Sequence, residues 1–575
     1  MLVKIQVIAF IKIALRLLLL LAALPLSAQT QTVGLFLNDA KAFRGYTLFA
    51  PLRSTTTYLI DNDGKLVRSW QSSYQPGNSV YLLENGHLLR TGNARNQIFT
   101  SGGQGGRVQE FDWDGTLLWD FEYSSNQYLQ HHDIEPLPNG NVLLIAWELK
   151  STAEAIAAGR NPALVSSRGL WPDKIIEVKP QGANGGEIVW EWHAWDHLIQ
   201  DFDASKPNYG VVADHPELVD LNFSNNNQPD WLHLNAVDYN PQLDQILLSV
   251  HNNFNELWII DHSTTTAEAA SHSGGKYGKG GDLLYRWGNP RAYKMGSAND
   301  QKFSGQHDAQ WIAPGLPGAG NILIFNNGTN RRYSSVDEII PPVEASGNYV
   351  RASGSAFGPS AATWSYVAPT PTDFYAMNIS GAQRLPNGNT LICDGPHGIF
   401  FEVTAAKEVV WKYINPVVTN GPMTQGDPIP SGQQGQENNV FRSPRYAPDF
   451  PGLAGKNLTP GDPIEKYPMT AVDEFINAIP AAFQLYQNYP NPFNPSTIIR
   501  FSLPQTSTSS VESREQVTLK VFDALGREVA TLVEGEMNAG ERSVAFDAKE
   551  LPSGVYLYRL QTGLLVQQKK MVVTK

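Results

Sequence analysis

The chain has 575 residues, with 43 Lys and Arg against 55 Asp and Glu for a formal net charge of -12. That length exceeds one simple domain unless a repeat absorbs it, and the acidic balance argues against a general nucleic-acid binder while leaving room for a local anion-capturing pocket. The one cysteine, Cys393, excludes an intramolecular disulfide framework and a cysteine-based zinc site, and it reads as a buried strand residue.

Taken in order, residues 1–28 carry Lys4, Lys12 and Arg16 ahead of the apolar run LLLLLAALPL, which leads into LSAQT at 26–30. This is the pattern of a secretory signal cut after Ala28. No later run reaches the roughly 18 apolar residues of a spanning helix. The mature protein is therefore expected outside the cytoplasm, with no stable membrane span.

From Gly45 the sequence alternates strand, turn and strand. TTTYLIDNDGKLVRSW turns at Asp63-Gly64 and SVYLLENGHLLRTG at Asn85-Gly86, and VQEFDWDGTLLWDFEY and HHDIEPLPNGNVLLIAW repeat the grammar. Strands ending in an aromatic recur at Trp70, Trp119, Trp190, Trp287, Trp364 and Trp411, and reversing turns fall at Gly86, Gly140, 242–244, 318–320 and Gly388. GYTLFAP, Gly45 to Pro51, is expected to supply the sixth reversing strand beside the Trp411 strand, closing the sheets without an open edge. The expectation is an all-β chain with a six-bladed β-propeller over 45–416; two stacked β-sandwiches are the alternative. Insertions interrupt it at 151–173, where STAEAIAAGR favours a short helix, and at 212–230. Residues 417–480 read as a loop or linker of which VFRSPRYAPDFPGLAG packs back on the propeller, and 483–575 as a small Ig-like β-sandwich.

Six histidines, His131, His132, His233, His251, His307 and His397, each stand where a strand meets a turn or loop. Neutral imidazole serves as nucleophile, base or metal ligand near pH 7, whereas a single strand-end histidine also ties down turns. If the units surround one axis, these polar ends meet there. Arg331 and Arg332 follow the amide-rich FNNGTN containing Asn327, and the planar guanidinium suits a tetrahedral oxyanion. A metal site is the competing use of His193, Asp196 and His197 with Asp201 or Asp203, beside Trp192 and Trp195, which read as packing. His262 and His272 flank STTTAEAASHSGGKYGKGG, an expected exposed loop, and stay outside the site. No residue is assigned to a metal. GxSxG, HExxH, Walker and Rossmann patterns do not stand out.

YPNPFNPST, VFDALGREV, LPSGVYLYRL and KKMVV, between Phe483 and Lys575, resemble the C-terminal sorting domain of proteins exported by the type IX secretion system. That resemblance implies an export address and a partner in the secretion machinery. GYTLFAP, TTTYLIDNDGKLVRSW, HHDIEPLPNGNVLL, DWLHLNAVDYN, GQHDAQW, FNNGTNRRYSSVDEI and SGAQRLPNGNTLICDG resemble the bacterial arylsulfate sulfotransferase family from about Gly45 to Pro416. The resemblance implies transfer of a sulfuryl group from a phenolic sulfate donor to a phenol acceptor through a sulfated histidine, with no nucleotide donor and no cofactor. It aligns His307 with the family's anion-contacting histidine, His233 with that residue's partner on an earlier blade, and His397 in DGPHG with the nucleophile. Arg332 or Arg331, Asn327 and the remaining histidines His131, His132 and His251 are then the donors around the sulfuryl oxygens. Two other readings stay open: a quinone-cofactor dehydrogenase propeller, unsupported by an adjacent cysteine pair or a calcium-binding carboxylate cluster, and a secreted propeller that binds a ligand without turnover.

Overall fold

The computed structural model describes residues 31–223, 227–432, 435–467, 483–503, 514–538, 540–563 and 565–575, so the expected signal segment lies outside the described residues. The chain divides into two compact units, Met1–Lys466 and Tyr467–Lys575. Both are all-β, with a few short helices in the first.

Among the described residues the first unit holds six antiparallel sheets of at least four strands. The first combines Arg445–Tyr446 with Tyr46–Phe49, Thr56–Ile60 and Leu66–Gln71; the second runs from Pro76–Leu82 to Leu117–Glu122. The third runs from Tyr128–Pro136 to Gly185–His193 and the fourth from Leu234–Asn240 to Tyr285–Trp287. The fifth runs from His307–Trp311 to Trp364–Tyr366, and the sixth from Gly381–Arg384 to Val409–Ile414, with Gly34–Asn38 on its far edge. Tight turns make the hairpins: at Asn85-Gly86, Gly86 has φ +84°, a conformation that a β-carbon disfavours, and its N–H reaches Leu83 O at 2.8 Å.

Alternating apolar residues give each sheet two apolar faces, and each face packs against the next sheet. Leu48, Trp70 and Leu88 join the first sheet to the second, Leu89, Trp119 and Ile176 the second to the third, and Trp190, Ile246 and Trp258 the third to the fourth. Leu257, Tyr285 and Ile324 continue to the fifth, Phe325, Ile392 and Phe401 to the sixth, and Phe49, Phe400 and Trp411 return to the first. Burying each such side chain contributes roughly 1.5–3 kcal/mol. The recurrent tryptophans add a polar tie between neighbours. Trp70 donates its indole N–H to Asp112 O, Trp119 to Gly185 O, Trp190 to Thr264 Oγ1, Trp287 to Pro359 O, Trp364 to Ala405 O and Trp411 to Asn62 O. The last bond returns from the sixth sheet to the first.

The chain ends meet differently from the sequence expectation. Tyr46–Phe49 does not lie beside the Trp411 strand; it pairs with Thr56–Ile60 and with Arg445–Tyr446. The strand beside Val409–Ile414 is Gly34–Asn38. Arg445 gives the physical reason. Its buried guanidinium lies 2.6 Å from Glu402, 3.0 Å from the Thr47 hydroxyl and 4.1 Å above the Trp411 ring, so the returning segment bonds both sheets at once. The 151–173 insertion carries the expected helix, Thr152–Ala157, with a capping box from Ser151 and Glu154.

The second unit has a three-stranded sheet, including Ser496–Leu503 and Gly540–Asp547, and a four-stranded sheet from Glu528–Asn538 to Leu565–Val573. Ile499 and Phe501 from one and Val517, Leu519, Leu560 and Met571 from the other share a single buried core.

Candidate active site: a row of buried histidines

The first strands of the third and fifth sheets carry the same His-Asp pair, His132-Asp133 in the middle of Tyr128–Pro136 and His307-Asp308 at the start of His307–Trp311, and the fourth sheet's first strand follows His233 directly. Each of these strands is irregular. Register slips lie opposite Leu144–Ala146, at Leu234–Ala236 and at His307–Gln310. His132, His233 and Asp308 have φ +50°, +56° and +52°, left-handed values uncommon for such residues. A bulge interrupts side-chain alternation, and here it lets two consecutive residues meet: His131 Nδ1 lies 2.8 Å from His132 Nδ1. Gly103 makes room for this, since a β-carbon there would fall 2.0 Å from the His132 ring.

From this pair the imidazoles run on in a row. Ring centres are 4.5 Å apart from His132 to His233, 5.2 Å from His233 to His251 and 5.0 Å from His251 to His307. His131 stacks on Trp147 at 3.7 Å and places Nε2 2.7 Å from Asp173. His251 Nδ1 lies 3.2 Å from Asn252 Oδ1.

Hydrogen-bond partners fix which nitrogen is free. His307 Nδ1 faces Asn327 Oδ1 at 2.8 Å and Gly305 O at 3.0 Å. Asn327 is oriented by its own amide, which donates to Ala376 O and Ile379 O. Both partners of Nδ1 only accept, so Nδ1 carries the hydrogen and Nε2 keeps its lone pair. His233 Nδ1 lies 2.5 Å from Asp230 Oδ2, and Asp230 also accepts from the Trp147 indole and the Ser101 hydroxyl. His397 Nδ1 lies 2.8 Å from Asp394 Oδ1. In all three it is Nδ1 that is engaged, not Nε2.

Burial holds His131, His132 and His307 well below the ordinary histidine range and brings His251 down to about 4, with neighbouring imidazoles adding to the effect. These rings are neutral near pH 7. Burial pushes against ionisation of Asp230 as well, but His233 and the Ser101 hydroxyl hold it below its usual value. His397 moves the other way, raised by its hydrogen bond to Asp394.

The structure brings His131, His132, His233, His251, His307 and Asn327 together. It does not bring in Arg331, which bonds Tyr333 O and the Ser335 hydroxyl in its own turn, nor Arg332, which is exposed with φ +61° and has no side-chain partner among the described residues. His397 closes the short helical turn Gly395–His397 that follows Thr390–Asp394, two residues further from its strand than His251 and Asn327 are from theirs, and among the described residues its side chain bonds Asp394 alone. It is tied to the row through the backbone: Gly395 N–H donates to the Ser380 hydroxyl, beside the Ile379 carbonyl that holds Asn327.

Arg442 is the residue that sequence reasoning missed. Half-buried over the Phe441 ring, it pairs with Asp133 at 2.7 Å and Asp308 at 2.8 Å, the aspartates that follow His132 and His307. Phe441 in turn lies 6.2 Å from His132. The repeated His-Asp dipeptide was the available signal. Arg442 also lines a cavity of about 290 Å³ with Tyr81, Glu135, Asp238 and Asp308, to which no histidine of the row contributes.

The metal set read from the sequence is dispersed. His193 bonds Glu148 and lies near Glu191, Asp201 pairs with Lys294, and Asp203 bonds Ser205. His197 faces Asp282 instead, and Trp192 stacks on it. His262 is not on an exposed loop: it is held between Asp244 and Glu177, which raise it to about 9 against the effect of burial.

The all-β first unit thus gathers a row of buried imidazoles in ring contact, of which His131, His132, His251 and His307 are neutral near pH 7. The chain belongs to the arylsulfotransferase (ASST) family, which matches residues 47–420. Residues 487–574 match the secretion system C-terminal sorting domain, which marks an exported protein, cell-surface or secreted. Among the described residues no helix is long and apolar enough to cross a membrane. No curated protein matches the chain. Solved structures similar to it include a protein of unknown function from Bacteroides caccae, 12% identical over 64% of this chain and 93% of that one with a TM-score of 0.35. Virginiamycin B lyase from Staphylococcus aureus is 10% identical over 68% and 85%, with a TM-score of 0.32. Likenesses at this level define neither activity nor ligand.

Proposed function

We propose that the first unit is a six-bladed β-propeller that moves a sulfuryl group from a phenolic sulfate ester to a phenol through a sulfated histidine, without a nucleotide donor, and that the second is an Ig-like export domain. The cyclic series of apolar contacts and tryptophan bonds supports the blade count. The observation that carries the chemistry is the row of buried neutral imidazoles beside histidines whose Nδ1 is tied to a carboxylate or amide.

His397 takes the nucleophile's part. With its hydrogen on Nδ1 and directed to Asp394, its Nε2 lone pair attacks sulfur in line, forming the S–N bond as the S–O bond to the aryl group breaks and phenolate departs. Asp394 raises the basicity of the ring and offsets the positive charge that sulfation puts on it. Arg331 or Arg332, swinging in from the adjacent turn when the anion binds, donates to the sulfuryl oxygens, while His307, held by Asn327 with its Nε2 lone pair free, and His233 are placed to take the acceptor's proton. In the second half a phenol attacks sulfur, its proton passes to a neutral histidine of the row, and the S–N bond breaks to restore His397. Exposure of Arg332 supports its recruitment by ligand, since no side-chain bond must be broken first.

The test is phenol release from an aryl sulfate with and without a second phenol, in the wild type and in His307→Ala and His397→Ala. Acceptor-dependent release that is lost in both variants is expected. Release without an acceptor would make the protein a sulfatase, and no release across varied aryl sulfates would overturn the transfer reading.

A further inference from the structure

A second constellation lies apart from the row, between the outer strands of the third and fourth sheets. His197 follows Gly185–His193, and Asp282 precedes Tyr285–Trp287. His197 Nδ1 and His272 Nδ1 both face the same oxygen, Asp282 Oδ1, at 2.8 and 2.7 Å. Among the described residues no hydrogen bond or ring contact joins the three to the central histidines. The geometry points to a binding site for one divalent transition-metal ion of the zinc type, held by His197 Nδ1, His272 Nδ1 and an Asp282 carboxylate oxygen.

The argument starts from proton positions. His197 is fully buried and its Nε2 lies 2.8 Å from Ala269 O. A carbonyl only accepts, so Nε2 carries a hydrogen. A neutral ring then has its lone pair on Nδ1, aimed at the carboxylate. Two electron-rich atoms at that distance need a positive charge between them, either a proton that makes the ring an imidazolium or a metal ion. A backbone carbonyl behind the second nitrogen is the arrangement that fixes the tautomer of metal-bound histidines. Here it is reinforced from the side: Trp192 stacks parallel on His197 at 5.7 Å, and the Trp192 indole donates to Gly281 O at 2.7 Å.

The surroundings are shaped to these atoms. A β-carbon on Gly281 would fall 2.0 Å from Ala269 O and 2.6 Å from His197 Nε2, so any other residue there would fill the cradle behind the ligand. The three donor atoms lie within 4.8 Å of one another. Two imidazoles and one carboxylate form a borderline donor set that suits zinc, leaving a fourth tetrahedral position for water. With metal–ligand bonds of about 2.0–2.1 Å, tetrahedral donors stand about 3.3 Å apart, so loading spreads the present contacts by roughly 0.5 Å. His272 can supply that movement: its side chain is 61% exposed, on the glycine-rich loop that joins Ala269 to Asp282. The buried ligands are rigid and the exposed one closes over the ion. A loaded site clamps this loop to the edge of the third sheet, a structural role separate from sulfuryl transfer.

The sequence hides the site because His197 is far along the chain from His272 and Asp282, and no short ligand motif connects them. The test is calorimetric titration of the metal-stripped full chain with Zn²⁺ alone, with zinc-edge anomalous scattering from crystals grown in the metal. The central row also offers imidazoles, so His233→Ala serves as the control and His272→Ala as the site variant, with Asp282→Asn alongside. One tight Zn²⁺ per chain is expected in the wild type and in His233→Ala. It should be lost in His272→Ala, whose exposed side chain leaves folding and circular dichroism unchanged, and an anomalous peak should lie between the three donors. Equal zinc binding by His272→Ala, a peak elsewhere, or no zinc bound by the wild type would each overturn the proposal.

Discussion

At the scale of the residue, the chemistry depends on where each imidazole keeps its hydrogen. His307, His233 and His397 have Nδ1 anchored by Asn327, Asp230 and Asp394, which leaves Nε2 as the atom the proposed transfer would use. Asp394→Asn tests the anchor. Asp394 raises His397 above its ordinary value of 6.5, so the acid limb of the pH–rate profile should lie above that value and shift downward in the variant. Transfer should fall by about 10²-fold with substrate binding little changed. The row itself gives a stability prediction. His131, His132, His251 and His307 bind protons less readily folded than unfolded, with His251 at about 4 against 6.5. Between those values the unfolded chain holds more protons, so stability rises with pH. The melting temperature should therefore drop as pH is lowered through 6.5 toward 4. His307→Asn and His251→Asn should flatten that dependence; an unchanged slope would contradict the account.

At the scale of the element, irregularities in the first strands of the third, fourth and fifth sheets bring the histidines together. The bulges brought by His132, His233 and Asp308 were not legible, because a sequence pattern of period two carries no mark of where one residue is added. His233 and His307 were legible at strand starts and His251 and Asn327 at strand ends, whereas His131 and His132 lie inside Tyr128–Pro136. Arg442 was not, since its partners Asp133 and Asp308 are set by three segments distant in the chain. That Arg331 is held in its own turn by the Tyr333 carbonyl and the Ser335 hydroxyl is not visible in composition, which marks only a basic turn. Arg442→Met should cost about 3–5 kcal/mol in denaturant unfolding, because Asp133 and Asp308 would be left as buried, unpaired carboxylates. Gly103→Ala should cost about 1–3 kcal/mol and reduce transfer, since the added carbon meets the His132 ring and the glycine has φ +80°.

At the scale of the whole molecule, the repeat was legible from six aromatic-ended strands, and those tryptophans prove to be the bonds between successive sheets. The closure was only half legible: both chain ends take part, but the two-residue strand Arg445–Tyr446 is too short to show in any periodicity, and it is fixed by Arg445 and Glu402. A chain ending at residue 438 should therefore fail to fold cooperatively, whereas one ending at residue 466, after the first compact unit, should keep its unfolding transition. The shorter chain losing nothing would refute this closure. The second unit contributes its own core, drawn from residues 483–573, in keeping with an export address that folds around its own strands.

The most direct measurement is to trap the intermediate. The purified protein is mixed with an aryl sulfate in the absence of acceptor, quenched under mildly alkaline conditions that spare N–S bonds, and mapped by peptide mass spectrometry. The account predicts one SO₃ group on the peptide containing His397, discharged when phenol is added before quenching and absent from His397→Ala. Acceptor-dependent transfer with no sulfated peptide, or with the group on any other histidine of the row, would contradict it.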